Sequence, residues 1–132
     1  MNRLAIALAA PLLAGCAVGA PRGVESATCP PGSYAQESVD RWFQLTWSTL
    51  QSPTGPTLAG YVNNQWKQDA ERMRLAVERL DATGQVVGCS EVWVLGSVPA
   101  FNRAYFTAAV PDANAQYRVR ILSFDWKSRG GS

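Results

Sequence analysis

The residues best suited to chemistry are three cysteines, Cys16, Cys29 and Cys89, in a chain of 132 residues that contains no histidine. Without histidine, the commonest general base and metal ligand are missing, which excludes His-dependent triads and most catalytic zinc sites. The cysteines show no C-x-x-C spacing, and a metal held by two of them would need further soft ligands. Acylation and disulfide formation are the thiol chemistry that these residues favour.

No other set of polar side chains has the pattern of a catalytic site. Asp69 and Glu71 are close in sequence, but cationic and amide neighbours predict a solvated face or loop. Ser90 and Glu91 lie inside a predicted strand with no basic residue beside them. We therefore predict that the protein is not an enzyme and needs no cofactor or metal. The net charge of +2 is also too small to indicate a nucleic-acid partner.

The N-terminus has the order of features found in a bacterial export signal. Arg3 supplies a positive charge, and Leu4 to Leu13 is an apolar run of ten residues. As a helix this run would rise about 15 Å, roughly half of a bilayer's hydrocarbon core, so it is too short for a permanent span. It is followed directly by Leu13-Ala14-Gly15-Cys16, which resembles the lipobox of bacterial lipoproteins.

The lipobox resemblance implies a location for the mature protein. In that family a diacylglyceryl group is attached to the cysteine thiol, here Cys16, and cleavage just before it removes residues 1–15. Two or three acyl chains anchor a protein stably on a membrane. Ala17, where an Asp would favour the inner membrane, indicates the outer membrane, with the protein on the periplasmic side. The alternative is an ordinary secretory signal with an incidental cysteine.

The two remaining cysteines, Cys29 and Cys89, are predicted to form a disulfide, because an exported protein folds in an oxidising compartment. The bond would close a loop of roughly 60 residues, for which the chain-entropy model gives about 4 kcal/mol of stabilisation. Two buried free thiols are the alternative. The Pro-Pro-Gly sequence that follows Cys29 predicts a rigid turn at this point.

The body of the chain breaks into short apolar or alternating runs separated by Pro, Gly and Asp, which is typical of an antiparallel all-β domain. We predict a signal at 1–15, a lipidated cysteine and tether at 16–40, a β-sandwich of about six or seven strands at 41–127, and a tail at 128–132. In the last run, alternation slips by one residue at Ile121-Leu122, which predicts a β-bulge or a change of face.

One stretch, Gln65 to Asp81, fits two secondary structures. Its Ala, Glu, Arg and Leu content and an apolar stripe at helical spacing favour a helix at about 65–81, which would make the fold α+β. The alternation of Met73, Leu75 and Val77 with polar residues, followed by a turn at Gly84, favours a strand instead.

Several segments together resemble the layout of FxLYD-type domains. They are Gly60-Tyr61-Val62-Asn63-Asn64, Met73 to Asp81 with Gly84 and Val86-Val87, Gly96-Ser97-Val98-Pro99, and Ala104-Tyr105-Phe106. The resemblance covers roughly Phe43 to Trp126 and implies an immunoglobulin-like β-sandwich. It therefore favours the strand over the helix at the ambiguous stretch.

The aromatic side chains are the remaining functional signal, with five Trp, four Tyr and four Phe in one small domain. A sandwich core holds about half of such a set, although core and loop packing can also account for the others. Trp66 and Phe101 lie near predicted loops and are our candidates for a binding surface. We predict a lipid-anchored binding or accessory module for another envelope protein. The alternative is a structural or assembly subunit that pairs an edge strand with a partner's sheet.

Overall fold

The structure, a computed structural model, describes residues 25–128; the predicted signal, Cys16 and residues 129–132 lie outside this range. One short helix precedes seven strands, and within the described range no helix is long and apolar enough to cross a bilayer. The elements are α1 (Gln36–Trp42), β1 (Phe43–Ser52), β2 (Gly55–Asn64), β3 (Ala70–Leu80), β4 (Val86–Trp93), β5 (Ser97–Val98), β6 (Arg103–Ala109) and β7 (Gln116–Trp126).

Two antiparallel sheets pack face to face, so the predicted all-β sandwich is confirmed. Sheet I has the order β1-β2-β6. Sheet II has β3 at its centre. Strand β7 pairs with one edge of β3, and β4 and β5 pair one after the other along its opposite edge. The ambiguous stretch forms strand β3, which confirms the strand and makes the helix at 65–81 wrong. Sheet I supplies the packing partner for the aliphatic side chains of β3, Met73, Leu75 and Val77.

The core forms where the alternating apolar positions of the two sheets meet. Leu58 and Val62 from sheet I and Met73 and Leu75 from sheet II are fully buried. An aromatic cluster closes one end of this core, with ring centroids 4.7 to 6.0 Å apart, and its members are Tyr34, Trp42, Phe43, Phe124 and Trp126. Much of the aromatic content is therefore structural.

Strand β7 carries a bulge at the position where the sequence alternation slips. Leu75 of β3 pairs with Ile121, whereas the adjacent Arg74 pairs with Ser123, so Leu122 is an extra residue in β7. Ile121 belongs to the main core, and Leu122 joins a separate small cluster with Ala76 and Cys89. The bulge thus lets one strand send apolar side chains to both faces of sheet II, as the predicted bulge requires.

Residues 25–35 form a segment that covers the outer face of sheet II, and we call it the N-terminal strap. Its Cys29 is joined to Cys89 of β4 by a disulfide with a Cα–Cα distance of 5.4 Å, as predicted. Backbone groups of Ser26 and Cys89 exchange two hydrogen bonds of 2.6 Å, and the Ser33 N–H donates to the Leu122 carbonyl at 2.8 Å. The strap is therefore packed against sheet II through its backbone as well as through the disulfide.

Charged side chains hold the strap and the strands beneath it in place. Arg79 donates two hydrogen bonds of 3.0 Å to the carboxylate of Glu25, which occupies the space that a side chain at Gly88 would fill. This bidentate pair raises the pKa of Arg79. The buried carboxylate of Glu78 accepts hydrogen bonds from Arg118 at 2.7 Å and Arg120 at 3.0 Å.

Candidate functional site

The sandwich has two ends of different character. The turn end carries the β1–β2 and β3–β4 turns and the β6–β7 loop. The loop end carries the β2–β3 loop (residues 65–69), the β4–β5 loop (94–96) and the β5–β6 loop (99–102). The β2–β3 and β5–β6 loops connect the two sheets, and the β4–β5 loop joins two strands of sheet II. A surface formed by these loops therefore combines residues from both sheets.

The loop end brings together both residues that the sequence predicts for binding. The Phe101 N–H donates a hydrogen bond of 3.2 Å to the Trp66 carbonyl, so the β2–β3 and β5–β6 loops touch. The contact follows from the pairing of β2 with β6, which extends to a 2.7 Å hydrogen bond between the Asn64 N–H and the Asn102 carbonyl. The Trp66 ring is half-buried, and the Lys67 ammonium lies 5.5 Å from its centroid.

Two polar side chains fix the loops against each other. The buried amide of Asn64 donates to the carbonyls of Gln68 at 2.8 Å and Val98 at 3.1 Å, and its oxygen accepts from the Trp66 N–H at 2.8 Å. Asp69 accepts a 2.7 Å hydrogen bond from the Ala100 N–H. The amide of Asn64 therefore satisfies backbone groups of two segments, the β2–β3 loop and β5, which organises the loop end before any partner arrives.

Phe101 is held in an unusual conformation. Its φ is +56°, in the left-handed region that large side chains rarely adopt, and its side chain is 72% exposed. Such a conformation costs on the order of 1 kcal/mol or more and persists only where surrounding contacts impose it. Here hydrogen bonds on either side, from the Phe101 N–H to Trp66 and from the Asn102 N–H to Pro99, hold the loop. The ring is thus presented to solvent by a fixed backbone.

A second pair of exposed apolar side chains, Trp93 and Leu95, flanks the break between β4 and β5. Leu95 is 86% exposed and Trp93 56%. The break lies opposite an irregularity in β3, where Arg72 has a φ of +51° and the pairing register shifts between Glu71 and Arg74. The irregular backbone of β3 and the break between β4 and β5 turn the Leu95 side chain outward. It lies beside a shallow groove of about 510 Å³ that Trp93 and Leu95 both help to line.

Basic and acidic side chains both surround these apolar tips, namely Lys67, Arg72 and Lys127 together with Asp69, Glu71 and Asp125. Arg72 donates to Asp125 at 2.8 Å, and this bond raises the pKa of Arg72. Lys67 and Lys127 face solvent, with no carboxylate of residues 25–128 within ion-pair distance. Within the same range, no three Cys, Asp or Glu side chains converge as a metal site would. The arrangement fits recognition through apolar contact within a rim of mixed charge.

Sequence reasoning found Trp66 and Phe101 but missed Trp93, Leu95 and the organising role of Asn64. Trp93 and Leu95 end an apolar run that predicts a continuous buried strand, Val86 to Leu95. Gly96, which has a φ of +76°, is the one local signal that the strand breaks there. Asn64 stands in the quoted G-Y-V-N-N segment, but one of its side-chain partners, Val98 of β5, is 34 residues away in sequence.

Comparison of the chain with protein-family models, with curated proteins and with solved structures finds no match. The similarity to FxLYD-type domains and the lipobox therefore stay predictions based on the residues quoted above. Any function has to be inferred from the surface of the sandwich and from the way the chain enters it.

Proposed function

We propose that the protein is a lipid-anchored periplasmic module, held on the outer membrane through Cys16, that binds another envelope protein with its loop end. The observation that carries this proposal is the set of exposed apolar tips at that end, Trp93, Leu95 and Phe101. Scattered single apolar residues are normal on a surface, but a group of aromatic and aliphatic tips on a fixed backbone is typical of a binding site.

The way the chain enters the sandwich supports this orientation. Glu25 pairs with Arg79 near the end of β3, at the turn end, whereas the loop end lies beside Ala70 at the start of the same strand. The eleven residues of β3 separate the two ends by about 35 Å. The nine residue steps from Cys16 to Glu25 span at most about 31 Å. A lipid on Cys16 would therefore keep the turn end, where the chain enters the sandwich, within that distance of the membrane and leave the loop end the more distant of the two when the domain stands upright.

The anchoring half of the proposal is tested with Cys16→Ser. The variant should move from the membrane fraction to the soluble periplasmic fraction, since one apolar signal without acyl chains gives no stable anchor after cleavage. The matched control is Cys29→Ser with Cys89→Ser, which leaves the lipobox intact and should remain in the membrane fraction. A Cys16→Ser protein that is processed and still membrane-bound would overturn lipid anchoring.

The binding half is tested by photo-crosslinking in intact cells. A benzoylphenylalanine placed at Phe101 should give a discrete crosslinked species that contains a second envelope protein. The matched control places the same residue at Ala82, which is also exposed but lies at the turn end. Equal crosslinking from both positions, or none from Phe101 in a stable protein, contradicts a binding surface at the loop end.

A second candidate function, assembly through strand pairing, is supported by a separate observation. Strand β6 is an outer strand of sheet I, since β2 is its one strand partner among residues 25–128. An unpaired strand edge presents backbone donors and acceptors that another strand can bind. In this case the partner would extend sheet I, and the loop end would not be required.

A further inference from the structure

Strand β6 exposes a regular row of backbone hydrogen-bonding groups. The Asn64 N–H donates to Asn102, and the Val110 N–H donates to Pro56, so these two pairs mark the hydrogen-bonded positions at either end of the β2–β6 ladder. Antiparallel pairing alternates, so the residues of β6 that face β2 are Ala104, Phe106 and Ala108. The backbone groups of the remaining four residues point away from β2. They are Arg103, Tyr105, Thr107 and Ala109.

This outward row lacks a partner within the part of the chain that the structure describes. The N–H groups of Tyr105, Thr107 and Ala109 bond to no other residue in the range 25–128, and the Arg103 N–H is held by the side chain of Asn102. Natural edge strands are commonly protected by lysine, proline, a bulge or a covering segment. The strand sequence RAYFTAA contains no lysine or proline, its register with β2 has no shift, and its one charge stands at the first position.

We propose that the occupant of this edge is β6 of a second copy of the chain, in an antiparallel pair that joins two three-stranded sheets into one of six strands. An antiparallel strand pair has two-fold symmetry, so an open edge of this kind is complementary to itself. When the two-fold axis passes beside Phe106, Tyr105 pairs with Thr107 of the partner subunit. Arg103 then pairs with Ala109 of the partner subunit. All four outward residues are then used.

The charge pattern favours this register. The single cation of β6, Arg103, faces an alanine across the pair, so no like charges are opposed. The edge also continues into the outer face of sheet I, where Arg103 is the one charged residue along β2 and β6 and the rings of Tyr61 and Tyr105 lie 5.4 Å apart. Self-pairing rests on the second candidate function, edge-strand assembly, and is independent of binding at the loop end.

The test is sedimentation equilibrium of the purified full chain in density-matched detergent. The chain should show a concentration-dependent equilibrium between monomer and dimer. Thr107→Pro should abolish the dimer and leave the circular dichroism spectrum unchanged, because proline removes an outward N–H and is tolerated on an edge strand. Thr107→Val, which keeps that N–H, is the matched control and should still form the dimer. A monomer at every soluble concentration, or a dimer that survives Thr107→Pro, overturns the proposal.

The register is tested at Ala109, which is exposed at the end of β6. Ala109→Glu places a carboxylate opposite Arg103 of the partner subunit twice in each dimer and should lower the dimer dissociation constant about fivefold. Ala109→Lys should raise it by about the same factor at the same position. If the two variants are equal, the proposed register is wrong. Photo-crosslinking from Phe101 to a different protein while the chain stays monomeric would support the loop end and overturn self-pairing.

Discussion

The outer faces of the two sheets differ although their strands follow the same alternation. On sheet II, Ala76 and Leu122 are buried beneath the N-terminal strap, at 0% and 1% exposure. On sheet I, outward residues of β1 such as Thr46, Ser48 and Leu50 face solvent. Alternation in the sequence thus identifies which side chains share a face of a sheet. It does not determine whether a further segment covers that face.

The two faces also differ in how charge is arranged. Sheet II carries the buried Glu78 with two arginines on its outer side, and the Arg120 side chain reaches the Pro30 carbonyl of the strap at 3.1 Å. Along β2 and β6, the outward positions of sheet I include one charged residue, Arg103, which lies 4.0 Å above the Tyr61 ring. One face is thus closed by covalent and ionic contacts, and the other is open for an intermolecular contact.

The largest expected effect comes from removing the covalent link between strap and sheet. Replacing Cys29 and Cys89 together by alanine should lower the free energy of unfolding by about 4 kcal/mol, since the bond closes a loop of 60 residues. Urea denaturation followed by tryptophan fluorescence measures this loss. Hydrogen exchange should accelerate in β4 and β7 more than in β1 and β2. Uniform acceleration in both sheets would contradict a strap-specific role.

A pair of leucine substitutions measures the covering itself. Leu122→Ala should cost about 3 kcal/mol because it removes a fully buried side chain from the cluster under the strap. Leu50→Ala on the open face should change the free energy of unfolding by less than about 0.5 kcal/mol, since that side chain is 45% exposed. Comparable losses for the two variants, measured by thermal unfolding, would remove the distinction between the faces.

A smaller effect is expected from the charges beneath the strap. Glu78→Gln keeps an acceptor but removes the charge that faces Arg118 and Arg120, and it should cost about 1 to 2 kcal/mol. The control Asp125→Asn disrupts the exposed pair with Arg72 and should cost at most about 0.5 kcal/mol. Chemical denaturation at low and high salt distinguishes them. Only the Asp125 contribution should be screened appreciably, because Glu78 is buried.

The smallest effect is a pH dependence at the turn end. Hydrogen bonds from Thr83 and from the Gln85 N–H lower the pKa of Asp81 in the folded protein. A carboxyl group with a depressed folded pKa stabilises the fold at pH values above its unfolded pKa of about 4, and this stabilisation is lost as the pH falls through the folded value. Asp81→Asn should flatten the acid limb of a Tm-against-pH profile slightly. An unchanged limb would show that other groups control acid sensitivity.

Much of the fold could be predicted from the sequence because the strands carry their own pattern. The slip at Ile121-Leu122 correctly predicts the bulge, and alternation around Met73 correctly predicts β3 against its helical propensity. The strap could not be predicted, because residues 25–35 have no periodicity and are held by backbone hydrogen bonds and one disulfide. Helix α1 was not predicted, because it has only seven residues and one buried side chain, Val39, which is too short for an apolar stripe to show in the sequence.

The candidate site was predicted in part for a similar reason. The backbones of Trp66 and Phe101 are in contact because Trp66 follows β2, Phe101 precedes β6, and these two strands pair. The sequence predicts that both residues lie near loops, but it does not predict the pairing. The outward turn of Leu95 depends on an irregularity in β3 at Arg72 and on the loop at Gly96, and no local sequence pattern in β3 predicts the former. Apolar residues at a strand end therefore give the least information from sequence alone.

The bulge in β7 has a consequence for how a sandwich can gain a layer. Apart from Leu122, the outward residues that β7 sends to this face of sheet II are polar, namely Arg118, Arg120, Ser123 and Asp125. With the extra residue absent, the strand would alternate regularly, as an ordinary amphipathic strand does. One extra residue thus adds an apolar contact to a polar stretch of β7, where the covering strap packs, and a compensating extra residue in β3 between Glu71 and Arg74 keeps the same pairing register on either side.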